Sequence, residues 1–349
     1  MKMVLMQGNQ AIAESAIVGG CRFYAGYPIT PQNEIPEYLS WRMPQVKGVF
    51  IQAESEISAI NMVYGASACG VRAMTSSSSP GISLMQETIS FLATAQLPAV
   101  IVNIQRGGPG LGNISASQSD YFQAVKGGGH GDYRCVVYAP YSVQEMWDIT
   151  QLSFDRADIY RTPVIILADA ILGQMTEPLV MKSISRPMLK KDWSYDRPKG
   201  SGVKRVVIKT LHTRDGELEA LNYKLAEKYK LIESKEVLYE EFYLDDADLV
   251  AVAFGISARI TKSAVNRLRR LGYKVGILRP ISLYPFPSYF ISELANQGKR
   301  FISVELNLGQ MIEDIQRAVN GRSEVYFYGR PGGGLFTPAE IEEVLRRYL

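Results

Sequence analysis

Residues 97–110 read LPAVIVNIQRGGPG, and the fold turns on this stretch. Pro98 to Ile104 has the pattern of a strand with almost no polar relief. A strand this apolar is covered on both faces, as in a parallel sheet. It runs into Gln105 and Arg106 and then into glycine and proline. An arginine directly after a buried strand, followed by a flexible loop, suits a grip on a carboxylate, because the guanidinium offers a planar fork of donors. The plainer alternative is a structural arginine bound to a backbone carbonyl or an acid.

Strand and helix patterns alternate on both sides of this segment. Upstream, a helix over Ala11–Val18 stops at Gly19-Gly20, a C-cap pair. A short strand over Cys21–Ala25 follows, then a helical period over Gln32–Arg42. Next come a strand at Val49–Gln52, a helix over Ser55–Ala68, and a strand at Arg72–Thr75. Ser76–Ser79 reads as a polar turn, with Pro80 in the first turn of a helix reaching about Thr94. Downstream, strands at Arg134–Tyr138 and Pro163–Leu167 flank a helix over Ser142–Tyr160. This alternation predicts a doubly wound α/β domain over residues 1–175. Residues 176–245 lose the pattern and read as a connector with a helix over Gly216–Leu231. Alternation resumes over 246–349, a smaller α/β domain. Its last helix starts at Thr337, with Glu340 three residues on as in a capping box.

In a doubly wound sheet, ligands gather beyond the carboxyl ends of the strands. Two further candidate segments fall there. Tyr27-Pro28-Ile29-Thr30-Pro31 is stiffened by two prolines, which would hold the Thr30 hydroxyl in place; otherwise it is only a rigid turn. Glu54-Ser55-Glu56 puts Glu56 at a helix start, where the dipole favours a carboxylate. Glu56 is either such a helix-start acid or a carboxyl that bonds a ligand, while Glu54 reads as structural. Ser76–Ser79 occupies the place of a nucleophile elbow, but GxSxG is absent.

Composition excludes several classes. With 38 Lys and Arg against 35 Asp and Glu, the net charge of +3 gives no reason to expect nucleic-acid binding. No wholly apolar run exceeds about eight residues, against about 20 for a membrane helix. The N-terminal MKMVLMQGNQ does not read as a signal peptide, and with Cys21, Cys69 and Cys135 scattered the expected compartment is a reducing cytoplasm. The cysteines read as small buried apolar residues. There is no CxxC, so no zinc ribbon or iron–sulfur cluster is expected on this chain. GxGxxG and GxxxxGK[ST] are both missing, and His130 and His212 are too few and too far apart for zinc hydrolysis.

Taken together, GYPITP (26–31), ESEISAINMVYGAS (54–67), TSSSSPGISLMQE (75–87) and LPAVIVNIQRGGPG resemble the α subunit of the 2-oxoacid:ferredoxin oxidoreductases. GGGHGDYR (127–134), SVQEMWDIT (142–150) and LRPISLYPFP (278–287) agree. SQSDYFQAVKGGGHGDY (117–133) and the short connector look most like the branched-chain, 2-oxoisovalerate members. The resemblance implies a fold of two parts, a domain like the pyrimidine-binding domain of thiamine enzymes and a smaller one like the transketolase C-terminal domain. It implies oxidative decarboxylation of a 2-oxoacid on thiamine diphosphate, electrons passed to ferredoxin, and release as an acyl group on coenzyme A. The diphosphate-binding motif GDG…N is absent here, so Mg2+ and the [4Fe-4S] clusters are expected only on partner subunits. Those partners are a thiamine/iron–sulfur β subunit, a γ subunit and a small ferredoxin-like δ subunit. By the same resemblance, Glu56 matches the acid that bonds the aminopyrimidine. Thr30 and Arg106 match the substrate-binding residues, and Ser79 and Gly81 lie near the cofactor. No metal ligand is implied. Alternatives are a 2-oxoglutarate- or pyruvate-type member, the β subunit of a lipoyl- and NAD-linked dehydrogenase, and a non-catalytic scaffold.

Overall fold

The computed structural model describes residues 2–183, 189–196 and 207–349. Its first half runs β1 (Lys2–Gln7), α1 (Gly8–Val18), β2 (Phe23–Gly26), α2 (Glu34–Gln45), β3 (Val49–Gln52), α3 (Glu56–Ala68), β4 (Ala73–Ser77), α4 (Ser79–Thr94) and β5 (Ala99–Gln105). It continues through α5 (Tyr121–Val125), β6 (Val136–Tyr138), α6 (Val143–Tyr160), β7 (Pro163–Asp169), α7 (Ala170–Gln174) and β8 (Thr176–Met181). The second half runs α8 (Glu217–Lys235), β9 (Tyr239–Phe242), β10 (Leu249–Val252), α9 (Gly255–Arg270), β11 (Val275–Pro280) and β12 (Ser282–Tyr284). It closes with α10 (Ser288–Asn296), β13 (Arg300–Glu305), α11 (Met311–Val319), β14 (Val325–Gly329) and α12 (Pro338–Arg346).

The larger sheet has the order β12-β6-β7-β5-β4-β2-β3. Every pairing in it is parallel except β12 with β6. β4, β5 and β7 are buried along their whole length, as expected for strands covered on both faces. Helix α1 packs on α2 and α6, and α3 packs on α4. The second sheet has the order β14-β13-β10-β11-β9, with β9 its one antiparallel strand. Thr337 and Glu340 form the reciprocal capping box at the start of α12.

Several details differ from the sequence reading. Ser76 and Ser77 belong to β4 rather than to a turn, where they pair with Val102 and Asn103 of β5. β1 and β8 form an antiparallel pair, Lys2 opposite Met181 and Gln7 opposite Thr176, so a strand stands at the start of the stretch read as connector. Its partner is about 170 residues away, and no local pattern announces such a pairing. Tyr239–Phe242, also in that stretch, is the edge of the second sheet, and Ser282–Tyr284 extends the first. Cys69 is exposed, whereas Cys21 and Cys135 are buried as expected. The parts of the connector at 184–188 and 197–206 lie outside the described residues.

The two sheets are riveted through Gln118, which is fully buried. Its Nε2 donates to the Phe254 carbonyl (2.8 Å), and its Oε1 accepts from Ser257 Oγ (2.6 Å) and the Leu306 N–H (3.0 Å). Asn307 Nδ2 donates to its carbonyl at 2.9 Å. Beside it, Asp169 caps α7 through the N–H groups of Ile171 and Leu172. Burial pushes the Asp169 carboxyl up to about 6, against backbone N–H donors that favour the charged form.

Candidate functional site

β3, β2, β4 and β5 lie side by side in the sheet, all parallel. Their carboxyl ends release, in that order, Glu54–Glu56, Tyr27–Pro31, Ser78–Ser79 and Arg106. The topology therefore brings all the candidate segments to one edge, as a doubly wound sheet requires.

Glu56 opens α3 behind the N-cap Ser55, whose hydroxyl accepts the Ser58 N–H at 3.2 Å. It is buried, 5% exposed, although it is an acid with no ion pair among the described residues. Ser77 Oγ lies 3.5 Å from Glu56 Oε1, at the outer limit of a hydrogen bond. Gly81, in the first turn of α4, is pressed against both groups. A methyl group there would sit 2.0 Å from Ser77 Oγ and 2.4 Å from Glu56 Oε1. Glycine at 81 is thus what lets the carboxyl lie against the helix start. Glu54, by contrast, is exposed and accepts from Ser58 Oγ at 2.5 Å.

Arg106 leaves β5 with its guanidinium spread between two loops. Nη1 donates to the Thr30 carbonyl (2.9 Å) and Nη2 to the Leu111 carbonyl (3.0 Å). Nε is buried and without a partner. Of five N–H donors, two are engaged in these bonds and three remain. Thr30 is exposed, and its hydroxyl accepts from Asn33 Nδ2 at 3.3 Å. Ser79 sits at the start of α4. Its Oγ accepts the Arg106 N–H (3.0 Å) and lies 2.5 Å from Asp120 Oδ2. Contact by contact, Glu56, Gly81, Ser79, Arg106 and Thr30 form one connected group.

The sequence reading missed the polar layer beneath them. Ser76 Oγ bonds Tyr24 Oη (2.7 Å) and Gln32 Oε1 (2.6 Å). Asn103 Nδ2 donates to Asp120 Oδ2 (2.8 Å), and Gln105 Oε1 accepts the Asp120 N–H (3.1 Å). Burial raises the Asp120 carboxyl above its usual range, while the Ser79 and Asn103 bonds hold it back. Asn103 and Gln105 were the available signal. Two amides two residues apart in an apolar strand share a face, and buried amides need partners.

The residues fit a bound heteroaromatic cofactor on three observations. Glu56 offers a buried acceptor, Gly81 leaves a cradle that a side chain would fill, and the Ser78 hydroxyl is buried without a partner. Among the described residues, no three His, Cys, Asp or Glu side chains gather to hold a metal ion. Nor is any described helix long and apolar enough to cross a membrane.

Residues 14–237 match the family model described as pyruvate flavodoxin/ferredoxin oxidoreductase, thiamine diphosphate-binding. Residues 247–341 match pyruvate:ferredoxin oxidoreductase core domain II. The chain is 51% identical to ketoisovalerate oxidoreductase subunit VorB of Methanothermobacter marburgensis, over 99% of this chain and 97% of that one. It is 39% identical to 2-oxoglutarate synthase subunit KorA of Methanocaldococcus jannaschii, over 99% and 100%. Among solved structures, it matches 2-oxoglutarate:ferredoxin oxidoreductase from Magnetococcus marinus, with 2-oxoglutarate, coenzyme A and succinyl-CoA bound. The TM-score is 0.87 at 27% identity, over 99% of this chain and 65% of that one. A split-gene transketolase shares the fold, with a TM-score of 0.62 at 12% identity over 98% of this chain and 97% of that one.

Proposed function

The chain belongs to the 2-oxoacid:ferredoxin oxidoreductases, and from that premise we propose that it supplies the substrate-gripping half of a thiamine-dependent site for a branched-chain 2-oxoacid. The observation that carries this reading is the connected group at the ends of β3, β2, β4 and β5. A buried acid, a glycine cradle and an arginine with free donors meet at one edge. The branched-chain assignment is supported by the 51% identity to a ketoisovalerate oxidoreductase subunit, against 39% to a 2-oxoglutarate synthase subunit.

Glu56 holds the aminopyrimidine of thiamine diphosphate by a hydrogen bond and favours the ring tautomer that takes a proton. Burial keeps water from competing for that carboxyl. Gly81 sets the distance between Glu56 and the start of α4. Arg106 grips the substrate carboxylate with donors that the Thr30 and Leu111 carbonyls leave free, and those carbonyls fix its plane. A charge-assisted bond of this kind contributes roughly 1.5–3 kcal/mol. Thr30 faces the substrate, and Ser79 anchors the Arg106 backbone. When bound, thiamine diphosphate supplies the nucleophilic carbon and the electron sink for decarboxylation. Its Mg2+ and the [4Fe-4S] clusters reside on partner subunits, and coenzyme A takes the acyl group. The partners are a thiamine/iron–sulfur β subunit, a γ subunit and a ferredoxin-like δ subunit, with ferredoxin as electron acceptor. Three unpaired cysteines suit a reducing cytoplasm as the compartment.

The test is viologen reduction by the natively purified complex with coenzyme A and a panel of 2-oxoacids. Fast reduction with 2-oxoisovalerate and little with 2-oxoglutarate or pyruvate is the expected result. Preference for another acid would overturn the substrate assignment. No reduction with any acid, from a complex holding thiamine diphosphate and intact clusters, would overturn the activity.

A further inference from the structure

None of the roles above uses the half-buried carboxylate of Asp120. We propose that Asp120 is a positioning residue for 2-oxoacid binding. It holds the Ser79 hydroxyl in the orientation that accepts the Arg106 backbone N–H. The proposal rests on the reading of Arg106 as the carboxylate grip and extends it to a residue that touches the group at Ser79.

A serine hydroxyl has one proton to give. Two acceptors compete for that of Ser79, Asp120 Oδ2 at 2.5 Å and the Arg106 carbonyl at 3.3 Å. The short bond to the carboxylate decides the contest and leaves a lone pair for the Arg106 N–H at 3.0 Å. Asp120 is itself held at both ends by β5. Asn103 Nδ2 donates to its carboxylate and Gln105 Oε1 accepts its N–H. Arg106 is the next residue of the same chain segment. Among the described residues, its guanidinium is held by the carbonyls of Thr30 and Leu111, which lie on loops. The backbone anchor at Ser79 therefore sets where the fork starts, and Asp120 sets the anchor. Without the carboxylate, the hydroxyl is free to turn its proton to the Arg106 carbonyl, and its lone pairs are no longer held toward the Arg106 N–H.

The experiment uses the assembled complex carrying Asp120→Ala, Asp120→Asn, Ser79→Ala or the double change Ser79→Ala/Asp120→Ala. The probe is 2-hydroxy-3-methylbutanoate, which has the carboxylate but no oxo group to react, titrated by calorimetry. KM and kcat for 2-oxoisovalerate and the bound thiamine diphosphate are measured alongside. Asp120→Ala is expected to raise both Kd and KM about tenfold, with kcat within about threefold and the cofactor retained. Asp120→Asn keeps an acceptor oxygen and should restore most of the binding. In the Ser79→Ala background, Asp120→Ala should add nothing, since the two act as one unit. Unchanged Kd and KM, a fully additive double change, or a loss confined to kcat would each overturn the proposal. Ser79→Ala leaves the carboxylate in place and must raise KM by the same factor. An unchanged KM in that variant overturns the proposal even where Asp120→Ala fails to fold. A wild-type complex that neither binds the hydroxyacid nor turns over the oxoacid refutes the underlying reading of the site, before any variant is made.

Discussion

Gly81→Ala is the smallest change that tests the geometry of the site. The added methyl would lie 2.4 Å from Glu56 Oε1 and 2.0 Å from Ser77 Oγ, where ordinary contact begins at 3.4 Å. The carboxyl must therefore retreat by about 1 Å, and the serine hydroxyl by more. Ser77 is part of a fully buried central strand and has little room, so most of the adjustment falls on the Glu56 side chain. Overpacking of this kind costs about 1–3 kcal/mol of stability. Misplacing a group that must meet a reacting partner by about 1 Å costs on the order of 100-fold in rate. The two effects separate in the assay. Urea unfolding of the complex reads the first, and 2-oxoisovalerate-dependent viologen reduction at saturating coenzyme A reads the second. The expected result is a modest loss of stability with kcat down roughly 100-fold and the KM little changed, since Arg106 is not displaced. A variant with wild-type kcat would refute the reasoning. It would mean that the close approach of Gly81 to Glu56 has no part in catalysis.

Three further changes probe other groups. Glu56→Gln keeps the shape but removes the proton acceptor, and should lower kcat by about 100-fold or more while the complex stays assembled; turnover near the wild-type rate would remove Glu56 from the mechanism. Arg106→Lys replaces a planar fork with a point charge that cannot reach both the Thr30 and Leu111 carbonyls, so the KM for the 2-oxoacid should rise about tenfold, measured by steady-state kinetics. Asp169→Asn tests the raised carboxyl at the junction of the two sheets. A folded value of about 6 against an ordinary 3.8 means that the wild type loses stability as pH rises from about 4 to about 6. The Tm gap between variant and wild type should therefore move in the variant's favour across that window and stay level above pH 7, and a gap independent of pH would contradict the shift.

Much of the fold was legible because its signals are local. β5 and β7 are largely apolar, α1 ends at Gly19-Gly20, and Thr337 and Glu340 announce their capping box three residues apart in sequence. What was not legible depends on partners far along the chain. β1 has alternating exposure, with Met3 and Leu5 outward, but its meaning depends on β8. β12 is short and runs into Pro285, and its pairing with β6 is what makes it a strand. The candidate site divides in the same way. The segments holding Thr30, Glu56, Ser79, Gly81 and Arg106 could be placed at strand ends from pattern alone. That Arg106 would bond the Thr30 carbonyl rather than its hydroxyl could not, since this depends on the spacing of two loops.

Ser76 and Ser77 were misread as a turn for a reason that bears on function. A central strand buried on both faces ordinarily takes apolar residues, and two consecutive serines there break the rule. A buried hydroxyl without a partner is costly, so such residues persist only where the surroundings satisfy them or where a ligand will. Ser76 is satisfied within the chain by Tyr24 and Gln32. Ser77 has only the distant Glu56 carboxyl, and Ser78 has no partner. Satisfaction thus falls away residue by residue toward the carboxyl end of β4, the end at which the Glu56 and Arg106 segments converge. A sequence that departs from local preference at one place, and compensates for it on the inner side only, marks the outer side as the part of the fold kept for something else.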